Sequence, residues 1–474
     1  MSLLDTVLMW IGKNEKRWLG DLKGFLGIAS VSAQPEKHGA DTRAAAEWTK
    51  DYLRTIGFDV EMIETGGGKG NPCVLATTPE NRAPKDAPHV LIYGHYDVQP
   101  AEPLELWETP PFQATVRDGK IFARGASDDK GQVHCHLAAL TAWKEINEGF
   151  PCRITVLLEG EEEVGSQHLL EVVRAKKEFL KTAKVLLISD SHIFAKGVPS
   201  ITYGLRGLVA VEFALKGAKT DLHSGLYGGA VVNPAHALCE VVAKLHDEKG
   251  RVTVPGFYDG IPEVTEKERE MWKGLPFSEE EYRRELGFAP GNPSRGLYGE
   301  AGYSALERKW ARPTLEVNGL TSGYQGTGSK TVLPNRASVK ITCRLVPGQD
   351  PERIGDALVK YIKEITPKEV EFELVYRLKG SPPAITPIDS PAMSAAAEAM
   401  EVAFGKKPVF HRDGGSIPVV AWFKEELGVD TVLMGFGLPD DCIHAPNEKM
   451  DLEQYYAGIR ACAVVYEKLG ERLK

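Results

Sequence analysis

The stretch HVLIYGHYDVQP, residues 89–100, joins an apolar run to a polar tail that carries His95 and Asp97. A short run of this kind, without charge, reads as a strand buried on both faces. Three more runs match it: ITVLL at 154–158, KVLLI at 184–188 and TVLMG at 431–435. Helical patterns lie between or after them, at 38–57, 390–404 and 452–469. In the first, Ala45, Trp48, Tyr52, Leu53 and Ile56 share a face, and Gly57 is placed to cap the end. Strands alternating with helices predict an α/β fold whose sheet is covered on both faces. Polar groups follow each run: GHYD, EGEEE, SD, and the loop leading to His444. Ligands in open α/β sheets sit at the carboxyl ends of strands, so these exits mark a candidate site.

Residues 207–380 have a different character. They hold a helical pattern at 234–248, an irregular Pro-, Gly- and Trp-containing stretch at 255–313, alternating strand signals at 337–345 and a helix near 351–365. Because the fourth strand returns after them, they read as an inserted α+β unit that divides a first domain into residues 1–206 and 381–474. A chain of 474 residues is long enough for two such domains.

Charge and composition exclude some classes. The formal net charge is −9 and no basic stripe is present, which speaks against a nucleic-acid partner. Cys73, Cys135, Cys152, Cys239, Cys343, Cys442 and Cys462 are odd in number and form no CxxC pair, which fits free thiols in a reducing compartment. The opening MSLLDTVLMWIGKNEKRW is a poor secretory signal, and no apolar run approaches a membrane span. A cytoplasmic location is the expectation.

Two metal ions roughly 3.5–4 Å apart need a bridging carboxylate, terminal His or carboxylate ligands, and a base. The chain offers these residue types, though each motif alone has a plainer reading. In GHYDVQP, His95 and Asp97 are two apart and point the same way on an extended segment, so the carboxylate can orient the imidazole; the plain reading is a surface loop. The acids of RGASDDKG suit a helix start. The three consecutive glutamates in EGEEEVGS could form a solvated loop, Asp190 in LLISDSH could cap a turn, and His444 in GLPDDCIHAPNEK could be an ordinary loop histidine. His134 and His136 are explained by burial of VHCHL and are not counted as ligands. His223 lies in TDLHSGLYGG, within the inserted unit; a histidine can donate to a developing oxyanion.

Taken in order, YGHYDVQP, RGASDDKG, LEGEEEVGS, ISD, ITYGLRG, DLHSGLYGG, KTVLPNRA, CRLVPGQ, RDGGSIPV and HAPNEK resemble the dizinc peptidase family of carnosine dipeptidases, aminoacylases and succinyl-diaminopimelate desuccinylase. The likeness is greatest to its cytosolic nonspecific dipeptidase branch. It implies a zinc-exopeptidase-like catalytic domain with a mixed sheet, interrupted by a lid and dimerisation domain. It further implies that Asp128 bridges two divalent ions, most simply Zn²⁺ with Mn²⁺ or Co²⁺ as alternatives. His95 and Asp190 would complete one shell, Glu163 and His444 the other. Asp97 would orient His95, Glu162 would serve as general base towards a water bridging the ions, and Glu161 would be a bystander. The Gly165-Ser166 pair sets that register, and Gly131 selects Asp128 over Asp129, with a cis bond after Asp128 in relatives. By the same resemblance His223 acts in trans within a homodimer, while Thr331, Arg344 and Ser416 hold a short peptide. Arg344 is suited to a C-terminal carboxylate.

The expected activity is therefore metal-dependent hydrolysis of dipeptides or other short peptides. An N-acyl amino acid amidohydrolase would use the same site. A silent scaffold is the alternative from another class, and the retention of every ligand and of the base speaks against it.

Overall fold

Every residue of the strand His89–His95 is buried, as its apolar run requires. This computed structural model describes residues 1–288 and 296–473. The strands that set the frame are Asp59–Ile63 (β1), Cys73–Thr77 (β2), His89–His95 (β3), Arg153–Glu159 (β4), Val185–Ile188 (β5) and Ser200–Leu205 (β6). Their order in the sheet is β1-β2-β4-β3-β5, then Thr431–Leu433, then β6. β3 runs parallel to β4 and β5, and Thr431–Leu433 runs parallel to β5, while β1, β2 and β6 are antiparallel to their neighbours. The sheet is mixed, as expected. Register matters most for the site: His95 lies opposite Glu159, and Tyr93 opposite Ile188. The carboxyl ends of β3, β4 and β5 are therefore level, and the residues that follow emerge side by side.

Helices cover this sheet. The helix Lys130–Asn147 is buried from Lys130 through Trp143, and Trp143 donates to the Ala463 carbonyl of the helix Leu452–Arg472 at 3.0 Å. The helix predicted at 38–57 runs Pro35–Thr55; Pro35 at its first turn has a preset φ, and Gly57 at φ 88° ends it. Trp48 from this helix stacks on Phe25 with ring centroids 4.4 Å apart. Ser2 and Asp5 form a capping box that starts the first helix, Leu3–Lys13. None of the described helices is long and apolar enough to cross a membrane.

His134 and His136 lie inside the Lys130–Asn147 helix. His136 bonds Tyr466 Oη at 2.7 Å and Ser189 Oγ at 2.8 Å, and His134 bonds Tyr455 Oη at 2.7 Å. His89 sits between Thr182 and Thr155 hydroxyls at 2.7 and 2.8 Å. These are core histidines.

The chain divides into two compact units. The first comprises Met1–Tyr203, Thr386–His411 and Trp422–Lys474, and the second Gly204–Ile385 and Arg412–Ala421. The second unit has a four-stranded antiparallel sheet in the order Thr314–Ser322, Arg336–Leu345, Gly207–Lys216, Glu371–Arg377. Val209, Val211, Phe213, Val339, Ile341 and Cys343 supply one apolar face, which forms a core with Leu238, Val241, Ile354, Leu358 and Ile362. The last five lie on the helices Pro234–Ala243 and Pro351–Ile365. Asp350 caps the second of these through the Arg353 N–H at 2.7 Å.

Three differences from the sequence expectation have local causes. The helix predicted to reach residue 248 stops at Ala243, because Thr253 Oγ1 takes the Lys244 carbonyl and Asp247 turns the chain through the Lys249 and Arg251 N–H groups. The irregular stretch at 255–313 contains the helices Glu266–Lys273, Glu279–Glu285 and Ala305–Trp310, each started by a Ser or Thr cap; its residues 289–295 lie outside the described residues. The inserted unit is wider than 207–380 and takes in Arg412–Ala421, which the sequence reading gave to the last part of the first domain. The Asp413 N–H donates to the Gly204 carbonyl at 2.8 Å and the Arg206 N–H to that of Gly415 at 3.0 Å.

Burial holds His89 down to about 4, and His134 and His136 down to about 3. Their folded-state pKa values are depressed below 6.5, so the stability they confer is complete above pH 6.5 and is lost as pH falls toward 4. For His89 the difference corresponds to about 3 kcal/mol. Melting temperature should therefore drop steadily between pH 6.5 and 4, and His89→Gln should flatten part of that slope; a slope unchanged in the variant would remove His89 as a cause.

Candidate metal centre

His95 ends β3 and is fully buried. Its Nδ1 donates to the Asp97 carbonyl at 3.0 Å and lies 3.4 Å from the Asp97 carboxylate. That leaves Nε2 for a ligand, and this nitrogen is buried with no hydrogen-bond partner. Asp97 is a hub: its carboxylate accepts from Ser32 Oγ at 2.6 Å and from the Glu162 and Glu163 N–H groups at 3.3 and 3.2 Å. The acids after β4 are thereby tied to the histidine after β3.

Asp128 precedes the buried helix, and its peptide bond to Asp129 is cis. One carboxylate oxygen, Oδ1, lies 3.2 Å from His95 Nε2; the other, Oδ2, lies 2.9 Å from His444 Nε2. His95 Nε2 is also 3.8 Å from Asp190 Oδ2, and His444 Nε2 is 3.3 Å from Glu163 Oε2. Two groups result, His95–Asp128–Asp190 and Asp128–Glu163–His444, each with ligand atoms within 4.8 Å of one another. Asp128 belongs to both.

The adjacent acids have other partners. Asp129 Oδ2 accepts from the His95 N–H at 3.3 Å. Glu161 bonds His168 Nδ1 at 2.8 Å and the Asn71 N–H at 3.0 Å, so it fastens the loop before β2. Gln99 Nε2 donates to Glu163 Oε2 at 2.8 Å and fixes its rotamer.

The chemistry of this set calls for cations. Asp97, Asp128, Asp129, Glu162, Glu163 and Asp190 crowd one place, and among the described residues no Lys or Arg forms an ion pair with any of them. Burial pushes the Glu162 carboxyl well above its ordinary range; His95 opposes the rise and Asp190, Glu163 and Asp128 add to it. Asp190 is raised for the same first reason, with Asp128 the next largest. A buried carboxylate cluster beside an imidazole nitrogen without a hydrogen-bond partner fits divalent cations, which the two groups around Asp128 would hold.

The family model for peptidase family M20/M25/M40 matches residues 91–468. The chain belongs to this family. It is 33% identical to the Cys-Gly metallodipeptidase of Schizosaccharomyces pombe, with 98% of each chain covered. It is 30% identical to the human Beta-Ala-His dipeptidase, over 99% of this chain and 93% of that one. Among solved structures, an M20 family metallo-carboxypeptidase from Sulfolobus solfataricus superposes with a TM-score of 0.82 at 32% identity, covering 96% of this chain and 99% of that one.

The remaining site candidates lie in the second unit and form two pairs. His223 and Thr331 are neighbours: the strand Leu222–His223 pairs with Val332–Leu333, and the Ser224 N–H donates to the Thr331 carbonyl at 3.0 Å. His223 Nδ1 accepts from the Gly225 N–H at 3.0 Å, so its Nε2 carries the proton and is a donor. Arg344 Nη1 donates to Ser416 Oγ at 2.8 Å.

Glu448 was passed over in the sequence. It is completely buried and accepts from the Gly125, Ser127 and Asp128 N–H groups at 3.0, 3.0 and 3.1 Å and from Arg124 Nη1 at 2.7 Å. The segment that supplies His444 thus also shapes the loop that presents Asp128. A glutamate four residues after a candidate ligand, inside HAPNEK, was the only available signal.

Titration of metal-stripped protein with Zn²⁺ should give two ions per chain. Asp190→Asn and Glu163→Gln should each weaken one ion, whereas Asp128→Asn should weaken both by at least about tenfold; loss of only one ion in Asp128→Asn would rule out the shared position.

Proposed function

We propose that the chain is a dinuclear metallopeptidase that hydrolyses dipeptides and other short peptides, with His95, Asp128, Glu163, Asp190 and His444 as ligands. The observation that carries this reading is the Asp128 carboxylate, one oxygen on each histidine, beside the buried carboxyl of Glu162. When bound, divalent ions supply the positive charge that acidifies water and polarises the scissile carbonyl. The imidazole and carboxylate donors suit Zn²⁺ and also admit Mn²⁺ or Co²⁺.

Glu162 takes the proton from the attacking water and returns it to the leaving amine, a base-then-acid role that suits a carboxyl raised by burial. Asp97 fixes the His95 tautomer through Nδ1 and holds the backbone of Glu162 and Glu163 in place. His223, protonated on Nε2, donates to the carbonyl oxygen as it gains charge. Thr331, Arg344 and Ser416 hold the substrate, with Arg344 opposite its carboxylate. The active form is a homodimer in which the inserted unit is the lid and dimerisation surface and His223 serves the partner subunit's centre. Cys-Gly and Beta-Ala-His, the peptides in the names of two relatives, are the first substrates to try. The unpaired cysteines, most of them buried, suit the cytoplasm.

Glu162→Gln should lower kcat by about 10²- to 10⁴-fold while two ions stay bound; a variant that keeps its rate has lost this assignment. Wild-type protein supplied with Zn²⁺, Mn²⁺ or Co²⁺ should cleave unblocked dipeptides, and activity confined to N-acetyl amino acids would favour the deacylase instead. Mixing Glu162→Gln with His223→Ala tests action in trans. Exchange between symmetric dimers should restore about a quarter of the wild-type rate, whereas action in cis restores none.

A further inference from the structure

Arg206 and Arg344 reach the same short segment of the second unit. Arg206 follows β6, and its N–H and Nε donate to the carbonyls of Gly415 and Gly414 at 3.0 and 2.8 Å. Arg344, from the strand Arg336–Leu345, donates through Nη1 to Ser416 Oγ at 2.8 Å. The first guanidinium lies hard against this backbone: a Cβ on Gly414 would stand 3.1 Å from Arg206 Nη2. Gly414, Gly415 and Ser416 are thus bracketed by two fixed positive charges.

Neither arginine forms an ion pair among the described residues. Asp413 is the carboxylate whose charge bears on both, and its Oδ1 accepts from the Gly415 N–H at 2.6 Å. Arg206 Nη1 is enclosed and has no hydrogen-bond partner. Burial, followed by the charge of Arg344, lowers Arg206 to about 10. Two half-buried like charges beside a glycine-thinned backbone, with one enclosed donor unspent, present a standing demand for an anion. A planar carboxylate matches the forked donors of guanidinium groups better than a single point charge does.

We propose that Arg206 joins Arg344 in a two-arginine site for the free C-terminal carboxylate of the peptide, and that Arg206 sets the preference for a free acid over an amide. This rests on the peptidase reading above. Arg344 was expected at the carboxylate from the family resemblance; Arg206 is assigned by the geometry of the Gly414–Ser416 segment. The two cations make the site choose peptides by their terminus, whatever side chains precede it.

The test compares kcat/KM for a dipeptide and for its C-terminal amide, using metal-loaded wild-type protein, Arg206→Gln, Arg206→Lys and Arg344→Gln, with melting temperatures as a check on folding. Wild-type protein should prefer the acid. Arg206→Gln should cut that preference tenfold or more, chiefly through KM for the acid, and Arg206→Lys should recover part of it. An equal fall on both substrates, or an unchanged preference, would make Arg206 a support for the glycine segment and overturn the proposal. If Arg206→Gln does not fold, wild-type protein still decides: the product amino acid should inhibit at least tenfold better than its amide, and equal inhibition overturns the site. Wild-type protein that cleaves neither substrate would instead sink the peptidase reading itself.

Discussion

Asp128 offers one carboxylate oxygen to each of two histidines drawn from distant parts of the chain, and the first unit is arranged around keeping that carboxylate still. A carboxylate shared between two histidines tolerates little freedom, since any rotation that improves one contact spoils the other. The protein restrains it from both sides. The following helix is buried along most of its length, and Glu448 collects the backbone N–H groups of the preceding loop. The cost of sequestering the Glu448 carboxyl is offset only in part by the three backbone donors and Arg124, since burial still pushes it up to about 7.

The sheet does the rest. Level carboxyl ends of three parallel strands place His95, the acids after Glu159, and Asp190 next to one another without any long side chain having to reach. Asp97 holds the Glu162 and Glu163 N–H groups and Gln99 holds the Glu163 carboxylate, which is how a set of mutually repelling carboxylates comes to be kept in one arrangement. The demand for cations follows from that arrangement.

Much of this was legible in the sequence because it depends on local pattern. Four unbroken apolar runs gave the central strands, and the residues leaving them gave most of the candidate ligands. The dismissal of His134 and His136 also agrees with their burial among tyrosine and serine hydroxyls. What escaped was non-local. The attachment of Arg412–Ala421 to the second unit depends on backbone hydrogen bonds to residues about two hundred positions earlier, which no periodicity encodes. Glu448 and Arg206 looked like ordinary charged residues, because a buried charge is recognised only when its surroundings are known. The loop that Glu161, a bystander to the chemistry by expectation, fastens could not be read either, since its neighbours in space are Asn71 and His168.

The path of the chain between its two units has a bearing on biosynthesis. The second unit is interrupted after Ile385 and completed only by Arg412–Ala421, and the first is completed later still, by the segment that carries His444 and Glu448. On the ribosome, His95, Asp128, Glu163 and Asp190 emerge long before either. A nascent chain therefore exposes four of the five proposed ligands before the loop around Asp128 is shaped, and the second unit can close before the first, which waits for the segment with His444 and Glu448. A chain cut before His444 would lose that proposed ligand together with Glu448, the carboxylate that gathers the backbone in front of Asp128.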